Sequence, residues 1–116
     1  MTRGDVYDAR LDPVEGSEQK GSRPVVIVSR NAINTSSPIV VVVPCTTYRA
    51  GRRLYPSHVL VGAPDGGLAA DSVALAEQVR VLDKNRLLCR RGTLSPAAME
   101  QLNRALLITL DLHESG

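Results

Sequence analysis

Two apolar runs, PVVIVS at residues 24–29 and PIVVVVPCT at 38–46, have no polar side. Both are rich in β-branched residues. Both open on a proline, which the first position of a strand tolerates. Strands without a polar face are covered on both sides, so these two are predicted at the centre of the fold. GDVYDARL (4–11) places Val6, then Ala9 and Leu11, inward as a half-buried strand does, and SHVLVG (57–62) is a shorter strand. SVALAEQVRVLD (72–83) reads as one long or two short strands with Glu77 and Gln78 in the middle; RLLCRRGTL (86–94) supplies a last strand and turn. APDGGLAADS (63–72) is a turn-rich loop carrying Asp-Gly-Gly. The period changes once, in SPAAMEQLNRALLITLDL (95–112). Ser95 is a good N-cap, Pro96 suits the first helical position, and Met99, Leu102, Leu106 and Leu110 form one stripe, predicted to pack under the sheet.

The pattern therefore predicts a single domain over residues 1–116, mostly antiparallel β with one C-terminal helix. Its core runs from about residue 3 to 112, and HESG (113–116) is a frayed tail. A chain of 116 residues can bury one real core but not two. It has no Phe and no Trp, so that core is aliphatic. No stretch reaches the roughly 18 apolar residues of a membrane span, and the first residues carry no signal-peptide pattern. Cys45 and Cys89 lie in apolar contexts without metal-type spacing and are expected to be buried free thiols of a cytoplasmic protein.

A net charge of +2 is modest, but its distribution changes the picture. YRAGRRLY (48–55) holds Arg49, Arg52 and Arg53 with no acid, between Tyr48 and Tyr55; a second basic cluster is Arg86, Arg90 and Arg91. Arginine interleaved with tyrosine suits single-stranded nucleic acid, where the guanidinium meets phosphate and the ring stacks on a base. A solvated basic loop is the plainer alternative. His58 and His113 stand alone, without metal-ligand partners at suitable spacing, and His58 is read as a strand side chain facing a neighbour or water. GSEQKGS leads into a strand rather than a helix, which argues against a phosphate-binding loop of the usual kind.

What remains is Arg, Thr, Ser and Glu at predicted strand ends. Cleaving RNA without a metal needs no external nucleophile, because the 2′-hydroxyl attacks its own phosphorus. The enzyme must hold sugar and phosphate in line, neutralise a dianionic phosphorane and move two protons. An arginine fork matches the phosphate oxygens, and a threonine hydroxyl adds a fixed donor or acceptor. Arg23, ahead of the first apolar run, and Thr46 or Thr47, ending the second, would come together if the two strands were adjacent.

RGDVYDARLDPVEGSEQKGSRPVVIVS, VVPCTT, DSVALAEQVRVLDKNRL, the turn at Gly92 and the closing helix, in that order, closely resemble the MazF/PemK family of toxin endoribonucleases from about Arg3 to Leu112. The resemblance implies a small SH3-like antiparallel β-barrel that pairs as a homodimer. It also implies metal-independent cleavage of single-stranded RNA at short motifs, leaving a 2′,3′-cyclic phosphate and a 5′-hydroxyl, with no cofactor. On these positions the family's catalytic arginine corresponds to Arg23 and its threonine to Thr46. Gly16-Ser17-Glu18-Gln19 matches the flexible segment that closes on RNA or is displaced by antitoxin. Ser72, Glu77 and Gln78 match positions lining the RNA groove, where Ser17, Gln19 and Thr47 are further candidates. Arginine is almost never deprotonated, so Arg23 is assigned charge stabilisation; Glu18 is either the base or an orderer of the loop. The loop bearing Arg49, Arg52 and Arg53 varies within the family and is expected beside the groove. The implied partners are RNA, a MazE-like acidic antitoxin, a second copy of the chain, and operator DNA only through the antitoxin complex.

Two other readings stay open on the residues alone. CcdB-type toxins share the barrel but act on DNA gyrase, and a non-catalytic barrel would bind RNA or antitoxin without cutting. The joint presence of Arg23, Thr46 and the Gly-Ser-Glu-Gln loop favours the ribonuclease.

Overall fold

The computed structural model describes residues 1–113; residues 114–116 of the expected tail lie outside the described residues. Seven strands and two helices follow in the order β1 (Asp5–Arg10), β2 (Ser22–Ile27), α1 (Asn31–Ser36), β3 (Ile39–Thr47), β4 (His58–Val61), β5 (Ser72–Leu75), β6 (Arg80–Asp83), β7 (Leu87–Thr93) and α2 (Pro96–Thr109). All strand pairs are antiparallel, and the sheet order is β4-β5-β3-β2-β1-β7, with β6 also paired to β3.

The two unbroken apolar runs became β2 and β3, adjacent and covered on both faces. In register, Val25 stands opposite Pro44 and Val26 opposite Val43. Side chains alternate across a strand, so the runs feed two cores. Val25, Ile27, Val40 and Val42 join Ala9, Leu11 and Leu82 on one face. Val26, Val43 and Cys45 join Ala98, Leu102 and Ala105 of α2 on the other. Burying Leu102 completely contributes about 1.5–3 kcal/mol. Its helix is held at the start, where the Ser95 hydroxyl accepts from the Ala98 amide and the Asp65 carboxylate accepts from the Ser95 amide and hydroxyl at 2.8 and 2.7 Å.

The structure corrects several expectations. The sheet curls but does not close into a hydrogen-bonded barrel: among the described residues no ladder joins β4 to β7. The 3-10 turn Asp65–Gly67 packs against β7 in its place, backbone against backbone. Of the two forms expected for the segment 72–83, the structure has two short strands. Helix α1 was not expected, because its six residues are mostly polar and too few to show a helical period. The far end of the α2 stripe leaves the core, with Leu110 exposed; the buried stripe is Ala98, Leu102 and Ala105. Cys89 is exposed rather than buried: β7 is an edge strand, and its thiol points at Asp8 of β1. That contact raises its pKa above the ordinary value, while burial alone pushes Cys45 up to about 12.

The second basic cluster is engaged within the fold. Arg91 Nε donates to Asp8 Oδ1 at 2.6 Å, Arg90 pairs with the nearly buried Asp5, and Arg86 donates to the backbone carbonyls of Arg10 and Asp12. Burial works against the charge on Asp5, but bonds from the Thr2 amide, Thr93 and Arg90 outweigh it and hold its pKa below the usual carboxylate value.

Backbone packing at the closure gives the first prediction. Gly67 has φ +73°, and a Cβ there would lie 2.1 Å from the Arg91 carbonyl oxygen. Gly51 has φ +86° with nothing within 4 Å. In urea unfolding, Gly67→Ala is expected to lose about 3 kcal/mol or more and Gly51→Ala about 1–2 kcal/mol. Equal losses would show that contact with β7 is not what Gly67 provides.

Candidate nucleic-acid interface

Pro44 organises the site. It has no N–H to donate to a ladder, and opposite it the neighbouring edge breaks. Cys45 pairs with Ala74 of β5 and Val42 with Arg80 of β6, so residues 43–44 of β3 face the five residues 75–79. The surplus folds into the 3-10 turn Ala76–Gln78, which turns Glu77 and Gln78 outward beside Pro44.

The same strand carries Thr46, and Arg23 lies on the adjacent β2. The β2–β3 ladder ends at Val25–Pro44; two residues further along each strand, Arg23 pairs with Ala9 of β1 and Thr46 with Val73 of β5. Arg23 and Thr46 are both half-buried. Arg23 Nε donates to the Lys20 carbonyl at 3.1 Å, while its two terminal nitrogens have no partner among the described residues. Thr46 pairs through its backbone with Val73, and its hydroxyl has no bonding partner among the described residues either. An arginine fork and a hydroxyl on adjacent strands thus have bonding capacity to spare.

The loop from Leu11 to Gly21 folds back over this face. Its ends meet where the Leu11 amide donates to the Gly21 carbonyl at 2.9 Å, and fully buried Leu11 anchors it. Gln78 then fastens the tip: its Oε1 accepts from the Gln19 amide at 2.7 Å, and its Nε2 donates to the Ser17 carbonyl at 3.4 Å. A cavity of about 210 Å³ remains between loop and turn, lined by Glu18, Gln19, Pro44, Glu77, Gln78 and Arg80. Gln19 Oε1 is buried there without a partner, which costs about 1–3 kcal/mol. Pro44 and Thr46 are two residues apart on β3, so the cavity wall and Thr46 lie about 7 Å apart along the strand.

Beyond Thr46, Thr47 is exposed, and Arg49, Arg52 and Arg53 all project into solvent. The Arg53 guanidinium lies 5.2 Å from the centre of the Tyr55 ring. Ser17 and Glu18 are exposed at the loop tip. Ser72 is different. It is 5% exposed, paired through its backbone to both Thr47 and Val61, and its hydroxyl donates to the Ala70 carbonyl at 2.8 Å. Its side chain is not presented to the cleft.

Sequence reasoning missed the bonds that connect these pieces: Gln78 to the loop, Arg80 Nη1 to the Leu11 carbonyl, and His58 Nε2 to Glu77 Oε1. One signal was available. A proline inside an otherwise central strand marks a break in the ladder beside it. A larger cavity of about 380 Å³ lies along the C-terminal half of α2, lined mainly by Leu106, Leu107, Leu110 and Leu112, and offers little chemistry.

Residues 2–110 match the family described as the PemK-like, MazF-like toxin of type II toxin–antitoxin systems. This chain belongs to that family. It is 47% identical over 113 residues to the endoribonuclease MazF of Staphylococcus saprophyticus, covering 97% of this chain and 93% of the relative. Among solved structures, a mycobacterial endoribonuclease in complex with its cognate antitoxin superposes with a TM-score of 0.81 at 33% identity, covering 99% of both chains. MazF from Deinococcus radiodurans gives 0.81 at 25% identity over 97% of both.

The Gln78 latch is directly testable. Gln78→Ala is expected to speed amide hydrogen exchange or limited proteolysis across residues 16–20 by roughly five-fold or more, while global stability falls by about 1 kcal/mol at most. Unchanged exchange in the loop would mean that Leu11 and the Gly21 carbonyl hold it unaided.

Proposed function

We propose that this PemK/MazF endoribonuclease toxin holds single-stranded RNA in the cleft between the Ser17–Lys20 loop, the Arg23–Thr46 pair and the 76–78 turn. There it cleaves RNA by attack of the 2′-hydroxyl on the adjacent phosphorus. The 2′-oxygen forms the new P–O bond, the P–O5′ bond breaks, and the products are a 2′,3′-cyclic phosphate and a 5′-hydroxyl. One proton leaves the 2′-hydroxyl and one reaches the departing 5′-oxygen.

The observation that supports this reading is that Arg23 keeps its terminal guanidinium nitrogens unpartnered among the described residues, on the strand that pairs with β3, which carries Thr46. Arg23 is pre-aimed by its bond to Lys20, and its free fork neutralises the charge that builds on the phosphorane. Thr46 orients the 2′-hydroxyl or a phosphate oxygen. Glu18, at the tip of the latched loop, orders that loop against the RNA. Thr47 and the exposed arginines of residues 49–53 extend the groove, where phosphate contacts and stacking on Tyr48 and Tyr55 need no particular sequence. Ser17, Gln19, Glu77 and Gln78 line the part of the groove where bases lie; buried Ser72 supports it from beneath.

We further read the chain as a homodimer held inactive by an acidic antitoxin segment that competes for the same basic groove, acting where mRNA is, in the cytoplasm. The mycobacterial endoribonuclease solved with its cognate antitoxin supports the antitoxin part of this reading. No helix among the described residues is long and apolar enough to cross a membrane.

The test is cleavage of a long single-stranded RNA in excess EDTA, with ends analysed chemically. Wild-type protein is expected to make discrete cuts with cyclic-phosphate ends. Arg23→Ala is expected to lose roughly 10³-fold and Thr46→Ala roughly 10²-fold in rate. Replacing Arg49, Arg52 and Arg53 together by Ala should weaken RNA binding and flatten its salt dependence by up to about two in slope, leaving the cut chemistry intact. Cleavage surviving in Arg23→Ala would refute the assignment.

A further inference from the structure

His58 joins two parts of the cleft that are far apart in sequence. Its side chain is 7% exposed, so it is closed off from substrate. The Tyr55 amide donates to His58 Nδ1 at 3.2 Å, which makes Nδ1 the acceptor nitrogen and assigns the ring proton to Nε2. Nε2 in turn donates to Glu77 Oε1 at 2.9 Å. The Tyr55 ring stands edge-on to the imidazole at 5.4 Å and carries Arg53 on its face. A fixed path of contacts therefore runs from the arginine loop through His58 to the turn beside Pro44.

Glu77 is the end of that path and lines the cavity. Its side chain is 40% exposed, and Oε2 accepts no hydrogen bond among the described residues. A carboxylate with one oxygen pinned is a directional acceptor, unlike a freely rotating surface glutamate. Around it, Gln78 is engaged with the loop through Oε1 and Nε2, and Arg80 donates through Nε and Nη1 to backbone carbonyls while its Nη2 has no partner among the described residues; Glu77 Oε2 and Gln19 Oε1 are the unpartnered oxygens that a donating ligand meets.

We infer that His58 is a positioning residue for base selection: by holding Glu77 Oε1 it presents Oε2 to the cleft, where it accepts from the exocyclic amino group of one nucleobase of the substrate. The inference deepens the RNA-cleft reading and rests on it. His58 touches no RNA; Glu77 does. A base with a carbonyl in place of the amino group meets the carboxylate oxygen with an acceptor and is rejected.

The experiment maps cleavage sites in a randomised single-stranded RNA pool for the wild type and for His58→Ala, His58→Gln and Glu77→Ala, with thermal unfolding of each variant as the folding control. In the wild type, one motif position is expected to demand an amino-bearing base. His58→Ala and Glu77→Ala should relax that same position by roughly ten-fold and leave the others unchanged. His58→Gln, whose amide N–H can still donate to Glu77, should keep the preference. A substrate lacking only that amino group should lose roughly ten-fold in kcat/KM with the wild type and little with His58→Ala. If His58→Ala does not fold, Glu77→Ala and the amino-less substrate carry the test. A uniform loss of activity with the motif unchanged would overturn the inference, as would His58→Gln behaving like His58→Ala, or relaxation at different positions in the two alanine variants. In each of those cases wild-type cutting abolished by Arg23→Ala would leave the RNA-cleft reading standing.

Discussion

One missing N–H shapes the working end of this protein. Because Pro44 cannot donate to a ladder, the strand beside β3 is divided into β5 and β6, and three residues between them turn out of the sheet. Gln78 and Glu77 ride on that turn, the loop before β2 is fastened to it, and His58 braces it from behind. The turn takes up the three residues by which the neighbouring edge exceeds β3 there, and it forms the wall that holds the loop. On its other side β3 stays paired with β2, where Val25 stands opposite Pro44.

Charge is distributed to match. The arginines of β7 and the turn before it are neutralised by Asp5, Asp8 and backbone carbonyls, which pins the edge strand to β1. Those beyond Thr47 have no acidic partner among the described residues and stand in solvent. The modest net charge thus conceals a division between arginines that hold the fold and arginines free to meet phosphate. Arg23 belongs to both groups: one nitrogen is tied to the loop, and the rest of its fork is open.

Much of this could be read from the chain. The all-apolar runs announced β2 and β3 with both faces covered, and Ser95–Pro96 announced the start of α2. The adjacency of β2 and β3, on which the expected meeting of Arg23 with Thr46 depends, was legible from those runs. What could not be read depends on distant partners. The bond from Gln78 to Ser17 spans 61 residues and that from His58 to Glu77 spans 19, with no local pattern to mark them. Ser72 was expected in the groove from its matching position, and nothing local marked that it would be buried with its hydroxyl bonded to the Ala70 carbonyl. Barrel closure failed for a related reason. The Asp-Gly-Gly turn was legible as a turn, but not as the element that meets β7 in place of a strand.

The central claim is the location of the RNA. The most direct measurement is the change in backbone amide NMR shifts on adding a single-stranded oligonucleotide made uncleavable by a 2′-deoxy sugar at the scissile position. The account predicts that the changes concentrate at residues 17–23, 46–53 and 77–80, while Leu106–Leu112 on the far face of α2 stay still. Shifts gathered on that α2 face, with the cleft unmoved, would contradict it.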